Sequence, residues 1–233
     1  MDSYACIRLD GGAGNGKPAK VQGREGTLVP ESVAAAVNDI APEDRGRAIL
    51  YSFLAKVLYA APKQDITETA QYYASDDSEL GRSFKEFLSA FKGSDEAVVG
   101  REYHDLFIGV GRGELLPFGS YYLTGFLNEK PLAELRADLN ELGFERAMGV
   151  SEPEDHIATL CDVMSQLVVG TADGEFTLFD QDRFFAAHLK PWAGKFFADL
   201  QSAKKADLYR TIGRIGEVFM TIEEDGFSMI ARA

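Results

Sequence analysis

Apolar positions recur at helical spacing through most of this chain. Ile49, Leu50, Phe53, Leu54, Val57 and Leu58 form one stripe, which predicts an amphipathic helix beginning near Pro42. Proline suits a first turn, where its missing donor is not used, and the following Glu43 and Asp44 favour the positive end of the helix dipole. Pro62 ends the pattern. Further stripes predict helices over 65–74, 78–91, 94–107, 131–142, 152–169, 180–189, 191–201 and 207–224. Gly143 is placed for a left-handed cap, Ser151 and Glu154 have capping-box spacing, and Pro191 forces a break. No segment sustains strand alternation and no internal repeat is present. The expected fold class is all-α: a single multi-helix domain over 31–233, or two lobes joined by a hinge near Gly149–Ser151.

Two stretches break the helical pattern. Residues 1–30 hold the run Gly11-Gly12-Ala13-Gly14-Asn15-Gly16, then Pro18, Gly23 and Gly26, and read as a flexible or surface-docked tail. Gly11 to Lys17 has phosphate-loop spacing, but Pro18 stands where a magnesium-binding hydroxyl is needed and no helical pattern follows. No nucleotide site is assigned there. The second stretch, 109–130, contains Gly109, Gly111, Gly113, Pro117, Gly119 and Gly125 and predicts an extended connection long enough to be functional. Phe107, Leu115, Leu116, Pro117, Phe118, Tyr121 and Tyr122 crowd this region. They either plug the helical core from outside or wall a partly open apolar groove.

Composition narrows the function. With 45% hydrophobic residues the chain can build a core, yet no apolar run approaches the ~18 residues of a membrane span. Arg8 and Asp10 interrupt the one N-terminal stretch that could serve as a secretory signal. Cys6 and Cys161 lie far apart, which points to a reducing compartment, the cytoplasm, and away from a zinc site or a disulfide framework. Thirty-seven acidic against twenty-four basic residues give a net charge of −13, which argues against nucleic acid and anionic lipid. The same charge either simply maintains solubility or favours a cationic partner such as a basic peptide.

The acidic cluster Glu152, Glu154, Asp155 and His156 is the strongest candidate for chemistry. On a helix Glu152 and His156 would share a face, and Asp155 would face Thr159 and Asp162. No second His or Cys lies at ligand spacing, so no metal is assigned, and acids in a first turn also serve the helix dipole. Ser120 follows Gly119 without the nucleophile-elbow pattern. The enzymatic alternative is a small helical enzyme using Asp155 and His156 as an acid–base pair, with the loop after Gly109 as a lid.

Four ordered elements carry a family resemblance. They are Leu58-Tyr59-Ala60-Ala61-Pro62; Tyr103-x-x-Leu106-Phe107-Ile108-Gly109 leading to Pro117-Phe118-Gly119-Ser120; Glu152-Pro153-x-Asp155-His156; and Phe185-x-x-His188-Leu189-x-Pro191-Trp192. Together, over roughly residues 45 to 225, they resemble the TorD/DmsD family of cytoplasmic chaperones that mature molybdenum-containing redox enzymes. The resemblance implies a non-catalytic, all-helical chaperone without a cofactor. Its partner would be a molybdoenzyme precursor, held by its twin-arginine signal peptide until the cofactor is loaded and export can proceed. It assigns signal-peptide binding to Tyr59, Leu106, Phe107, Pro117, Phe118, Ser120, Glu152, Pro153, Asp155 and His156, and leaves a monomer or a dimer with exchanged halves open. A signal peptide carries cationic and apolar parts, so carboxylates beside an apolar groove would suit it. Two positions depart from the family pattern: Val110 where proline is usual, and Phe118 where tryptophan is usual, which keeps stacking area but loses an indole donor.

Overall fold

The computed structural model describes residues 7–9, 40–146, 152–170 and 175–230. Among these the chain forms ten α-helices: α1 (Pro42–Tyr59), α2 (Thr67–Tyr73), α3 (Glu79–Phe91), α4 (Glu96–Tyr103), α5 (Gly119–Thr124), α6 (Lys130–Glu141), α7 (Ile157–Gly170), α8 (Leu178–His188), α9 (Ala193–Ser202) and α10 (Leu208–Ile230). Two three-residue strands, β1 (Ile7–Leu9) and β2 (Phe144–Arg146), pair antiparallel with Ile7 opposite Arg146 and Leu9 opposite Phe144. The fold is all-α as the periodicity predicts, with one short ladder that the pattern does not announce. Part of the N-terminal segment is therefore docked. The Gly11–Lys17 run, the rest of the 1–30 tail and the Gly149–Ser151 hinge lie outside the described residues.

α7 explains the core. Twelve of its fourteen residues are buried, so it has no solvent face and must be surrounded. α1 packs along it, and Ser165 Oγ donates to the Ala48 carbonyl across the contact at 2.9 Å. α10 joins α1 through a part-buried ion pair: Arg47 holds both oxygens of Glu223 at 2.7 and 2.8 Å, and Tyr51 Oη donates to the same carboxylate at 2.9 Å. α9 and α10 approach closely because Gly216 leaves room for Phe197; a β-carbon there would lie 2.2 Å from that ring. One contiguous apolar cluster runs from Leu50 on α1 to Phe227 on α10.

Caps mark the helix starts with mixed agreement. Ser78 Oγ accepts the Gly81 N–H ahead of α3, and Asp95 caps α4. Gly143 takes φ +78° after α6, as its position predicts. α7, however, begins at Ile157 and not near residue 152, and Glu154 lies in the turn before it. A full capping box is formed by Thr177 with Asp180 at the start of α8. α9 begins at Ala193, just past Pro191, and α10 runs on to Ile230, beyond the predicted residue 224.

Candidate functional site

The 94–107 stripe ends in a change of helix type. After α4 the backbone widens into a π turn over His104–Ile108, closed by a hydrogen bond from the Gly109 N–H to the His104 carbonyl at 2.7 Å. Gly109 adopts φ +62°, and a β-carbon there would meet the Arg112 carbonyl at 2.1 Å, so only glycine closes this turn. The chain then doubles back, with the Leu115 N–H donating to the Leu106 carbonyl at 2.9 Å. This delivers Pro117 and Phe118 to the segment before α7.

That meeting is a short backbone pairing. Phe118 and His156 form an isolated antiparallel bridge. The Gly119 N–H donates to the Asp155 carbonyl and the Ile157 N–H to the Pro117 carbonyl, both at 2.9 Å. Residues 152–156 are consequently irregular, and the helical-face argument for Glu152 and His156 fails: long-range backbone partners replace the local helix. The 109–130 connection likewise contains a helix, α5, whose six residues include buried Gly119 and Ser120 and which ends at Gly125 with φ +84°.

Asp155 is 3% exposed. Its Oδ2 accepts the Ser120 N–H at 2.7 Å, while its Oδ1 has no hydrogen-bond partner; Ser120 Oγ in the same turn also has none. His156 points elsewhere. Its Nδ1 accepts the Ala158 N–H at 3.1 Å, its ring meets Phe118 edge-on at 5.1 Å, and burial pushes its pKa down to about 4, so it is a neutral Nε2–H tautomer. Asp155 and His156 thus spend their side chains on separate backbone groups and do not form an acid–base pair.

Asp155 is among the residues lining a pocket of about 410 Å³, together with Gly119, Leu135, Trp192, Glu134 and Asp138. No lysine or arginine lines it. No group of His, Cys, Asp or Glu among the described residues is arranged to hold a metal ion. His188 Nε2 lies 2.7 Å from Asp138 Oδ2. Burial lowers the His188 pKa and outweighs the opposing pull of Asp138, so the ring is neutral and donates from Nε2. Trp192 Nε1 donates to the His188 carbonyl at 2.7 Å, which turns the indole across Gly119, where a β-carbon would lie 3.1 Å from it. The motifs around Pro117–Ser120, Asp155–His156 and His188–Trp192, distant in sequence, therefore converge on one cavity.

The other predicted residues lie around this centre in different ways. Pro117 and Phe118 are buried, Phe118 at 9% exposure, and brace the backbone pairing. Leu106 is fully buried. Phe107 and Tyr103 join Tyr209 in an aromatic cluster, with ring centroids 5.3–6.1 Å apart, and Tyr103 Oη donates to the Tyr59 carbonyl at 2.5 Å. Tyr59 is half-buried against the same core. Pro153 is half-buried and accepts the His156 N–H, and Glu152 is exposed, its carbonyl taking Arg146. Burial works to raise the Glu154 carboxyl, but Arg136 at 2.8 Å, with Arg146 behind it, holds it below the usual range. The site reading by residue missed Glu134, Asp138, His188 and Trp192; the motif ending in Trp192 was the available signal for the last two. Along this segment the exposed apolar side chains include Ile108 and Val110 at the π turn and Leu123, Phe126 and Leu127 at the end of α5. Among these, Leu123 also lines the pocket.

Residues 73–198 match the nitrate reductase delta subunit family model, a span that includes the whole cavity-forming segment from the π turn to Trp192. A TorD chaperone of Vibrio cholerae is 25% identical over 197 residues, covering 75% of this chain and 88% of that one. The TorD chaperone of Aliivibrio fischeri is 26% identical over 211 residues, covering 80% and 97%. A crystal structure from Archaeoglobus fulgidus described as a redox enzyme maturation protein is similar at TM-score 0.49 and 22% identity, covering 75% of this chain and 93% of that one. No described helix is long and apolar enough to cross a membrane. The chain belongs to the nitrate reductase delta subunit family and, like the TorD proteins it resembles, is a chaperone and not an enzyme.

Proposed function

We propose that this chaperone acts in the cytoplasm on the precursor of a molybdenum-cofactor oxidoreductase, binding its twin-arginine signal peptide and delaying export until the cofactor is in place. The observation that carries the reading is the cavity beside α5. It offers carboxylates with no cation among its lining residues, and it adjoins an exposed apolar surface at Leu123, Phe126 and Leu127. A signal peptide needs both, one for its cationic start and one for its apolar stretch. The overall charge of −13 supports the approach of a cationic segment and disfavours nucleic acid. The chaperone unit on this reading is residues 31–233, with residues 1–30 as an accessory segment.

Capture from native cells, with the co-purified precursor identified by mass spectrometry, supplies the client. Isothermal titration with that client's signal peptide should then give saturable binding that weakens as salt rises, since exposed charges are screened over ~8–10 Å at physiological ionic strength. Absence of binding to the signal peptide, with binding to the rest of the precursor retained, would move the contact to the folded client.

A further inference from the structure

The walls of the cavity beside α5 are held with very different firmness. α7 has no solvent face, and α5 is seated by Gly119 against the Trp192 indole, which the His188 carbonyl holds. α6 is attached otherwise. It buries one narrow stripe, Leu132, Leu135 and Leu139, and its backbone packs mainly on its neighbours in sequence, α5 and β2. Toward α7 the cavity intervenes, lined by Leu135 from one helix and Leu160 from the other. Three polar contacts fasten α6 to the body: Asp138 to His188 at 2.7 Å, Arg136 to Glu154 at 2.8 Å and Glu141 to Arg183 at 3.1 Å. The last two are exposed, where such pairs contribute little. The chain turns left-handed at both ends of α6, at Gly125 (φ +84°) and Asn128 (φ +60°) before it and at Gly143 (φ +78°) after it. Residues 125–129 are all exposed, so the approach to α6 has no packing of its own to lose.

We infer that α6 is a lid over this cavity, latched by Asp138 on His188 and lifted when a client segment enters. The inference rests on the signal-peptide reading for what enters. Size motivates it. A cavity of about 410 Å³ is a small-molecule pocket, too small for the apolar stretch of a peptide, so a wall has to yield. Moving α7 would open the core, and moving α5 would break the backbone pairing of Phe118 with His156. α6 can move as a unit on its left-handed ends, at the cost of one apolar stripe and three contacts that water can replace. In the closed form its carboxylates are engaged, Asp138 by His188 and Glu134 by Lys130 at 2.8 Å. Lifting frees Asp138, so opening of the cavity and release of a charge occur together. Asp138 and His188 are positioning residues on this account: they set how often the cavity opens.

Trp192 is the one tryptophan in the chain; it lines the cavity and is 2% exposed, so acrylamide reaches it when the lid lifts. In the full chain, Asp138→Ala should raise the rate of Trp192 quenching by about threefold or more, as loss of one hydrogen bond to a charged group does. Asp138→Asn keeps an acceptor for the His188 Nε2–H and should stay closer to the wild type. Circular dichroism checks that both variants fold. The converse is a tether. Arg136→Cys with Glu154→Cys, in a Cys6→Ser background and joined by a short bis-maleimide, fixes the middle of α6 to the turn before α7. Cys161 is buried and stays out of that reaction. The tether should return quenching in Asp138→Ala to the wild-type rate or below, and in the wild-type chain should slow signal-peptide association by about tenfold or more. An unchanged quenching rate in folded Asp138→Ala overturns the lid, as does a tethered chain that binds the peptide as fast as the untethered one. Should Asp138→Ala fail to fold, the tether on the wild-type chain decides alone. If quenching follows the latch and the tether as expected while no form binds the signal peptide, the lid stands and the signal-peptide reading fails.

Discussion

Asp155 and Glu223 are buried to the same degree, each 3% exposed, but the protein treats them in opposite ways. Glu223 on α10 has both oxygens answered by Arg47, with Tyr51 adding a further donor, and Asp44 braces the far side of Arg47 at 2.8 Å. Burial and the Glu223 carboxylate push the Tyr51 hydroxyl up, so it remains a donor. Asp155 has one amide on one oxygen and nothing on the other. The first carboxylate is closed within the fold and ties α1 to α10. The second keeps one oxygen unanswered in a segment that lines a cavity. Burial alone does not distinguish these two acids; the completeness of their hydrogen bonding does.

The largest effect should come from breaking the closed pair. Glu223→Ala leaves the part-buried Arg47 with Asp44 alone and strips the buried Tyr51 hydroxyl of its acceptor, and removal of one member of a buried pair typically costs ~3–5 kcal/mol. Chemical denaturation should show that loss at an unchanged m-value. A cost under ~1 kcal/mol would put this pair among surface ion pairs and remove half of the contrast.

The next effect concerns His156, which stands beside Asp155 yet faces the interior. Its pKa of about 4 lies below the ordinary 6.5, so the unfolded chain takes up a proton more readily than the folded one. The resulting stabilisation is fully present above pH 6.5 and is lost as pH falls from 6.5 toward 4, by up to ~3 kcal/mol. Stability measured across that window should fall more steeply for the wild type than for His156→Gln. Parallel curves would show that His156 stays solvated, and would reopen its assignment as a purely internal group.

A smaller effect is expected from deleting residues 1–30. The β1–β2 ladder is three residues long, and net hydrogen-bond contributions are ~0.5–1.5 kcal/mol each, so a modest drop in thermal midpoint should follow. Peptide binding should persist, because no residue of β1 lines the cavity beside Asp155. A collapse of stability would make the N-terminal segment an integral part of the core.

Much of the fold was legible in local pattern, because helix periodicity is a property of neighbouring residues. The α1 stripe, the Pro42 start and the Gly143 cap all appear where the sequence puts them. The site was legible only as motifs. Residues 152–156 read locally as a helix start, with Glu154 in capping-box position. In the structure Pro117, Phe118 and Gly119 supply backbone partners from another segment and hold that turn irregular. α5 was hidden because Pro117, Gly119 and Gly125 look like loop punctuation, whereas they bracket a single short helix whose close packing on Trp192 favours glycine. The pairing of His188 with Asp138, fifty residues earlier, has no local signature. Family motifs indicated which segments matter; their convergence on one cavity required tertiary structure.

The smallest stability change should come from Asp155→Asn, and it separates the two carboxylates most sharply. The asparagine carbonyl can still accept the Ser120 N–H that Asp155 Oδ2 now accepts. Its amide nitrogen would occupy the side from which no donor approaches, so the exchange forces no donor against another donor. The charge it removes has no cationic partner in the described structure to leave stranded, unlike the charge removed from Glu223. Stability should therefore stay within ~1 kcal/mol of the wild type, with a small gain in reach because a buried charge is relieved. A loss beyond ~2 kcal/mol would show that the fold itself depends on the Asp155 charge, placing it with Glu223 as a structural acid. Near-neutral stability combined with weakened signal-peptide binding would instead show that the Asp155 charge serves the ligand and not the fold.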